Sequence, residues 1–230
     1  MTETLLYAAI LVPCLIVAIV FHEVAHGLAA LALGDPTARE QRRLSFNPLR
    51  HVDPVGTLLV PGALALVGGP IFGWAKPVPV NARRLDNPRY GMMAVAAAGP
   101  GMNLLLALVG AVLLGTVAGI GFEPGSVFGS LAFTMLSTFV LINIFLALFN
   151  LLPIPPFDGS HIVGGLLPRS MAGQWQKLQQ MGMLLLILLI AATWAFPNAG
   201  VVEHTVLPPV LWLQERYIDL AQWIANGIAG

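Results

Sequence analysis

The stretch that decides the fold is LLYAAILVPCLIVAIVFHEVAHGLAALAL, residues 5–33. It is apolar over nearly its whole length, and Gly34-Asp35-Pro36 ends it. A helix needs about 20 apolar residues to cross the hydrocarbon layer of a bilayer, so this run is a membrane span. Within it, His22-Glu23-Val24-Ala25-His26 places three ionisable side chains inside five residues. Charged or titratable groups within a span are costly and usually carry function. The fold and the chemistry are therefore read from the same segment.

The rest of the chain agrees with a membrane protein. Of 230 residues, 57% are hydrophobic and 10% are charged, whereas ordinary soluble domains carry roughly 25% charged residues. Net charge is zero, so no basic field points to nucleic acid. Cys14, the sole cysteine, cannot form an internal disulfide and reads as a small packing residue. No Lys or Arg precedes the first apolar run, so it does not read as a cleaved secretory signal.

Further spans are predicted over about residues 92–117, 130–152 and 178–196, each near the required length. Glu215, Asp219, Gln222 and Asn226 recur at helical spacing opposite Leu213, Tyr217, Leu220 and Ile224. That pattern predicts a C-terminal amphipathic helix, lying in the membrane interface or packed on the bundle. The apolar stretch 55–74 is interrupted by Gly56, Pro61, Gly62, Gly68, Gly69 and Pro70. Eight of the eleven basic residues flank it on both sides: Arg39, Arg42, Arg43, Arg50, Lys76, Arg83, Arg84 and Arg89. If this stretch crossed the membrane, the two basic groups would face opposite sides, against the positive-inside tendency. A re-entrant or interfacial segment keeps them all cytoplasmic and puts the N-terminus outside. The expectation is an all-α polytopic membrane protein, one domain over residues 1–230, with about four transmembrane helices around a three-helix core.

The H-E-x-x-H pattern supplies two imidazoles to one helix face, four residues apart, where both can reach one zinc ion. Glu23 is offset by about 100° and can reach a water on that ion. The competing reading is a polar cluster that pins helix packing. A catalytic zinc site typically has three protein ligands, and the third is not nearby in sequence. Position 32 is Ala32, and Glu40 lies beyond the helix-breaking Gly34 and Pro36 among arginines.

The third span ends in Asn150-Leu151-Leu152-Pro153-Ile154-Pro155-Pro156-Phe157-Asp158-Gly159. Three prolines stop the helix, and unwound backbone survives at membrane depth only where it lines a protein cavity or faces water. Asp158 is therefore a candidate third ligand, against the alternative of an ordinary loop aspartate. Depth is an independent check. His22 to His26 lie about 26–32 Å along a helix starting near Leu5, at about 1.5 Å per residue. The charge-derived topology brings Asp158 to the same cytoplasmic side.

Together with Gly99-Pro100-Gly101-Met102-Asn103, the two motifs resemble the site-2 protease family of intramembrane zinc metalloproteases, over roughly residues 5–161. The resemblance implies that His22, His26 and Asp158 bind Zn2+, that Glu23 is the catalytic base, and that Asn150 helps position substrate or the developing oxyanion. It also implies single-pass transmembrane proteins as substrates, in regulated intramembrane proteolysis at a bacterial inner membrane. Larger members carry a PDZ domain, for which this chain has no room.

Several other readings are weighed beside these. Trp74-Ala75-Lys76-Pro77-Val78-Pro79-Val80-Asn81 could pair with an unwound substrate as an added strand, or simply hug the membrane as a loop. His161, three residues after Asp158, could tune the site or act as a ligand, but reads better as a hydrogen-bonding loop histidine. His51 and Asp53 invite a metal reading too, but Asn47-Pro48 and Asp53-Pro54 mark turns and favour capping roles. Gly99, Gly101 and Asn103 suggest close helix approach and an interhelical hydrogen bond, with Met92, Met93 and Met102 as packing. Rival functions are a transporter or zinc channel, an inactive homologue that retains membrane clients, and a zincin whose third ligand is a later glutamate. The second and fourth spans hold no ionisable groups, Glu23 has no use in a pure binder, and the later spans hold no glutamate.

Overall fold

Long apolar runs in lipid must satisfy their own backbone, and a helix does this within one segment. In a computed structural model, which describes residues 2–66, 73–121, 126–196, 200 and 204–230, the chain is an all-α polytopic membrane protein. Among the described residues, three single helices are long and apolar enough to cross a membrane: α1 (Thr2–Ala32), α4 (Pro88–Gly119) and α5 (Val127–Asn150). Between α1 and α4 lie the short α2 (Thr37–Glu40), a π-helical turn at Pro54–Leu59 and α3 (Val60–Leu66). After α5 come α6 (Asp158–Leu166), α7 (Arg169–Gln180), α8 (Gly182–Ala195) and α9 (Leu207–Ala229).

The chain divides into two compact units. One comprises Met1–Ala18, Gly101–Leu148 and Val202–Gly230. Its core packs Ile10, Cys14 and Ala18 of α1 against Ile142 of α5. The fully buried Asn103 amide donates to Ala18 O at 3.2 Å and to Asn143 Oδ1 at 2.9 Å. These bonds join three helices in surroundings where an unpaired amide would be expensive. Gly101, by contrast, has open space where a side chain would start, so close helix approach does not explain it. The amphipathic α9 packs on the bundle. A Cβ on Gly115 would fall 2.4 Å from Ala221 O, and one on Gly119 would fall 2.7 Å from Ile228 Cβ. Glu215, Asp219, Gln222 and Asn226 all remain exposed.

The other unit comprises Ile19–Pro100 and Phe149–Val201. Here α1 closes as the sequence suggests. Gly34 adopts φ +99°, Asp35 N–H donates to Ala30 O at 2.9 Å, and Gly34 N–H donates to Leu31 O at 3.3 Å. This pair of bonds is the Schellman closure, which glycine permits at no steric cost. Of the ambiguous stretch 55–74, the helical part Pro54–Leu66 spans about 20 Å at 1.5 Å per residue, short of a ~30 Å crossing. Residues 67–72 lie outside the described ones.

The fourth predicted span falls on a bent pair. α7 and α8 together are long and apolar enough to cross a membrane, but they are bent by 60° at Met181, and α8 alone has 14 residues. Two contacts explain the break. Trp175 Nε1 donates to Ser160 O at 2.8 Å, tying α7 to α6. Gly182 lies against Pro155 and Pro156, where an added Cβ would stand 3.2 Å from both.

Asp35 organises the segment that leads back to the site. Buried completely, its carboxylate accepts from Thr37 N–H, the Thr37 hydroxyl and Asn81 N–H, the last at 2.6 Å. Burial would raise its pKa, but these bonds and the nearby Arg84 hold it below the usual value. Asp35→Ala leaves buried donors at Thr37 and Asn81 without a partner. It should cost about 1–3 kcal/mol, read as a lowered midpoint of thermal unfolding in detergent.

Candidate metal centre

His22 and His26 project from one face of α1, as four-residue spacing requires. Both are buried, at 7% and 9% exposure. His26 Nδ1 lies 2.7 Å from Val95 O on α4. A carbonyl oxygen only accepts, so Nδ1 carries the proton and Nε2 presents a bare lone pair. That lone pair faces His22 Nε2 at 3.0 Å. α5 stops at Asn150, the chain turns through Leu151–Phe157, and Asp158 opens α6. Asp158 Oδ2 then stands 3.2 Å from His22 Nε2 and 3.3 Å from His26 Nε2.

These three atoms form a nearly equilateral triangle. A tetrahedral ion with bonds of about 2.0–2.1 Å spaces adjacent donors about 3.3–3.4 Å apart. Asp158 Oδ2 is shielded from solvent and has no partner in hydrogen-bonding geometry among the described residues. Buried polar atoms are seldom left so. Two imidazoles and a carboxylate are also a donor set that suits zinc and related divalent ions. The residues present therefore fit a metal.

The triangle opens on a cleft of about 320 Å³. Glu23, Asn150 and His161 line it with the three clustered residues, together with Met92, Val95 and Ala96 of α4 and Pro77, Val78 and Val80 of the connecting segment. Every predicted site residue thus reaches one cavity. Residues 73–80 carry no regular structure, and Val78 N–H donates to Glu23 Oε2 at 2.8 Å. Arg43 braces this segment through the carbonyls of Lys76 and Pro77.

Glu40 pairs with Arg84 on the surface. His51 reaches Ser45 O, and Asp53 caps the π-helical turn. Met93 packs against Gly165, whereas Met92 faces the cleft rather than serving packing alone.

Sequence reasoning missed the Val95 carbonyl and the Val78 N–H, because backbone groups leave no trace in residue identity. It also took Gly99 as a helix contact. A Cβ there would lie 2.5 Å from His26 Nε2 and 2.6 Å from His22 Cε1. Glycine at 99 was a usable signal, but its neighbours are the imidazoles rather than a helix backbone.

Fold and site together define a multi-pass membrane protein whose ionisable residues converge on a metal-ready cleft. The sequence model described as Peptidase family M50 matches residues 120–190. "Putative zinc metalloprotease YwhC" of Bacillus subtilis (strain 168) is 38% identical over 196 residues, covering 83% of this chain and 86% of that protein. "Putative zinc metalloprotease Rip2" of Mycolicibacterium smegmatis is 28% identical over 205 residues, covering 80% and 72% respectively. No solved structure matches the chain. The chain belongs to peptidase family M50, the site-2 protease family.

Gly99→Ala forces a methyl group into the space of both rings. Bound metal measured by atomic absorption should fall at least severalfold, while Gly101→Ala, with open space around it, should retain the wild-type content.

Proposed function

We propose that the protein is an intramembrane zinc endopeptidase that cuts single-pass membrane proteins within or near their transmembrane segments, close to the cytoplasmic end. The observation that carries this reading is the triangle of His22 Nε2, His26 Nε2 and Asp158 Oδ2, with the Glu23 carboxylate in the same cleft. His22, His26 and Asp158 hold Zn2+. Bound zinc supplies Lewis acidity, which lowers the pKa of a coordinated water toward ~7 and polarises a carbonyl.

The chain's own groups do the rest. Val95 O holds His26 in the tautomer that points its free nitrogen at the metal position. Glu23 takes a proton from the attacking water and returns it to the leaving amine nitrogen. Asn150 orients the substrate carbonyl. Before any of this, the substrate helix must unwind, because its carbonyls are engaged in its own hydrogen bonds.

The extended segment 74–81 is suited to receive an unwound strand, and its tie to Glu23 keeps it beside the reacting bond. Pro77 and Pro79 offer no N–H, so pairing uses the carbonyls and the few remaining donors of this edge. The clustering of basic residues between α1 and α4 supports a cytoplasmic position for that region, with the N-terminus outside. Regulated intramembrane proteolysis at a bacterial inner membrane is the setting that the family resemblance favours.

The test compares purified wild type with Glu23→Gln and Asp158→Ala, for zinc content and for cleavage of a reporter transmembrane substrate. Glu23→Gln should keep zinc and lose activity by about 10²-fold or more. Asp158→Ala should lose both. Full activity in either variant would end the proposal. Separately, deleting 75–80 should leave zinc bound and abolish cleavage; unchanged cleavage would remove the segment from the mechanism.

A further inference from the structure

His161 lines the cleft one helical turn after Asp158, and the mechanism above leaves it unused. Its Nδ1 lies 3.3 Å from Gln179 Nε2 on α7. That same Gln179 nitrogen lies 3.2 Å from Ser160 O. A backbone carbonyl only accepts, so the amide must face it with its NH2 end; the reverse orientation would set two oxygens against each other. The group next to His161 Nδ1 is therefore also N–H, and Nδ1 must accept. The ring is held neutral, with its proton on Nε2.

The surroundings reinforce this assignment. Trp175 donates to the same Ser160 O at 2.8 Å, one turn before Gln179, so α7 grips α6 at two points. A Cβ on Gly164 would stand 3.0 Å from the Trp175 ring, which shows how closely the two helices meet. Burial pushes the His161 pKa below the ordinary histidine value, against a smaller opposing pull from Asp158.

His161 is not part of the metal cluster. Only His22, His26 and Asp158 gather with donor atoms all within 4.8 Å among the described residues. The contact with Gln179 engages Nδ1 and not Nε2. Hydrogen-bond donors are scarce in this cleft. Glu23 and Asp158 present carboxylates, Val78 N–H is committed to Glu23, and Pro77 and Pro156 have no N–H. His161 Nε2–H adds a side-chain donor to this lining.

We propose that His161 is a further catalytic residue, a neutral imidazole that gives its Nε2–H to the scissile carbonyl oxygen as that oxygen gains negative charge. A donor fixed in advance, in a site shielded from water, acts where charge develops and needs no reorganisation. Gln179 is its positioning residue. The inference rests on the proteolytic reading above.

The experiment measures zinc content, thermal unfolding, kcat and KM on a reporter transmembrane substrate for wild type, His161→Leu, His161→Gln and Glu23→Gln. His161→Leu should keep zinc and its unfolding midpoint while kcat falls about 10–100-fold with KM little changed. His161→Gln, whose amide nitrogen can reach the place of Nε2, should recover most of the loss. Wild-type kcat in His161→Leu, a change in KM alone, or loss of zinc from that variant would each overturn the assignment. If zinc-loaded wild type cleaves no better than Glu23→Gln, the protease reading fails and this inference falls with it.

Discussion

Two imidazoles and a carboxylate packed within 3.3 Å of one another, in a chain with this little charge, are the constraint on which the site depends. None of the three is tolerated alone in such surroundings, because a buried charge or unpaired polar group costs several kcal/mol. They are tolerable as a cluster whose outer atoms are also held. Val95 O takes the far side of His26, Gly99 leaves room for both rings, and the unwinding of the chain after Asn150 delivers the acid. Each of these features is costly or unremarkable alone, and each is explained by the cluster it serves.

The same constraint governs the segment between α1 and α4. Closure of α1 at Gly34 places Asp35 where it can bind Asn81 N–H. That bond anchors one end of the 73–81 stretch, while Lys76 N–H donates to His51 O near the other. Between the two anchors Val78 N–H meets Glu23. A buried aspartate near the end of a helix thus helps determine where a backbone donor stands within the cleft. Prolines at 77 and 79 keep the stretch extended and away from helical pairing.

How much of this could be read from sequence follows from which forces leave marks on residue identity. Hydropathy located α1, α4 and α5 to within a few residues, because lipid demands uninterrupted apolar helices. The motif His22-Glu23-Val24-Ala25-His26 and the proline-broken tip before Asp158 were legible for the same reason, since polar or helix-breaking residues stand out against lipid-facing sequence. The break at Met181 was not. It arises from Trp175 and Gln179 reaching Ser160, and from Gly182 meeting two prolines, none of which alters the local apolar pattern. Nor could amphipathicity choose between a lipid interface and a helix neighbour for α9; the small residues Gly115 and Gly119, against Ala221 and Ile228, decide it. Gly101 shows the opposite failure, a small residue with no neighbour to explain it.

Concentration of ionisable groups also separates the possible uses of such a site. A transporter needs polar footholds along a path, each paid for by partners at its own depth. Here His22, Glu23, His26, Asp158 and His161 all line one cleft. The polar ties of His161 run to α7, a helix rich in glutamine, and not onward along an apolar span. Val78 N–H closes the far side of Glu23. Among the described residues these ionisable groups gather around one point, an arrangement that suits action on a single bond better than passage along a path.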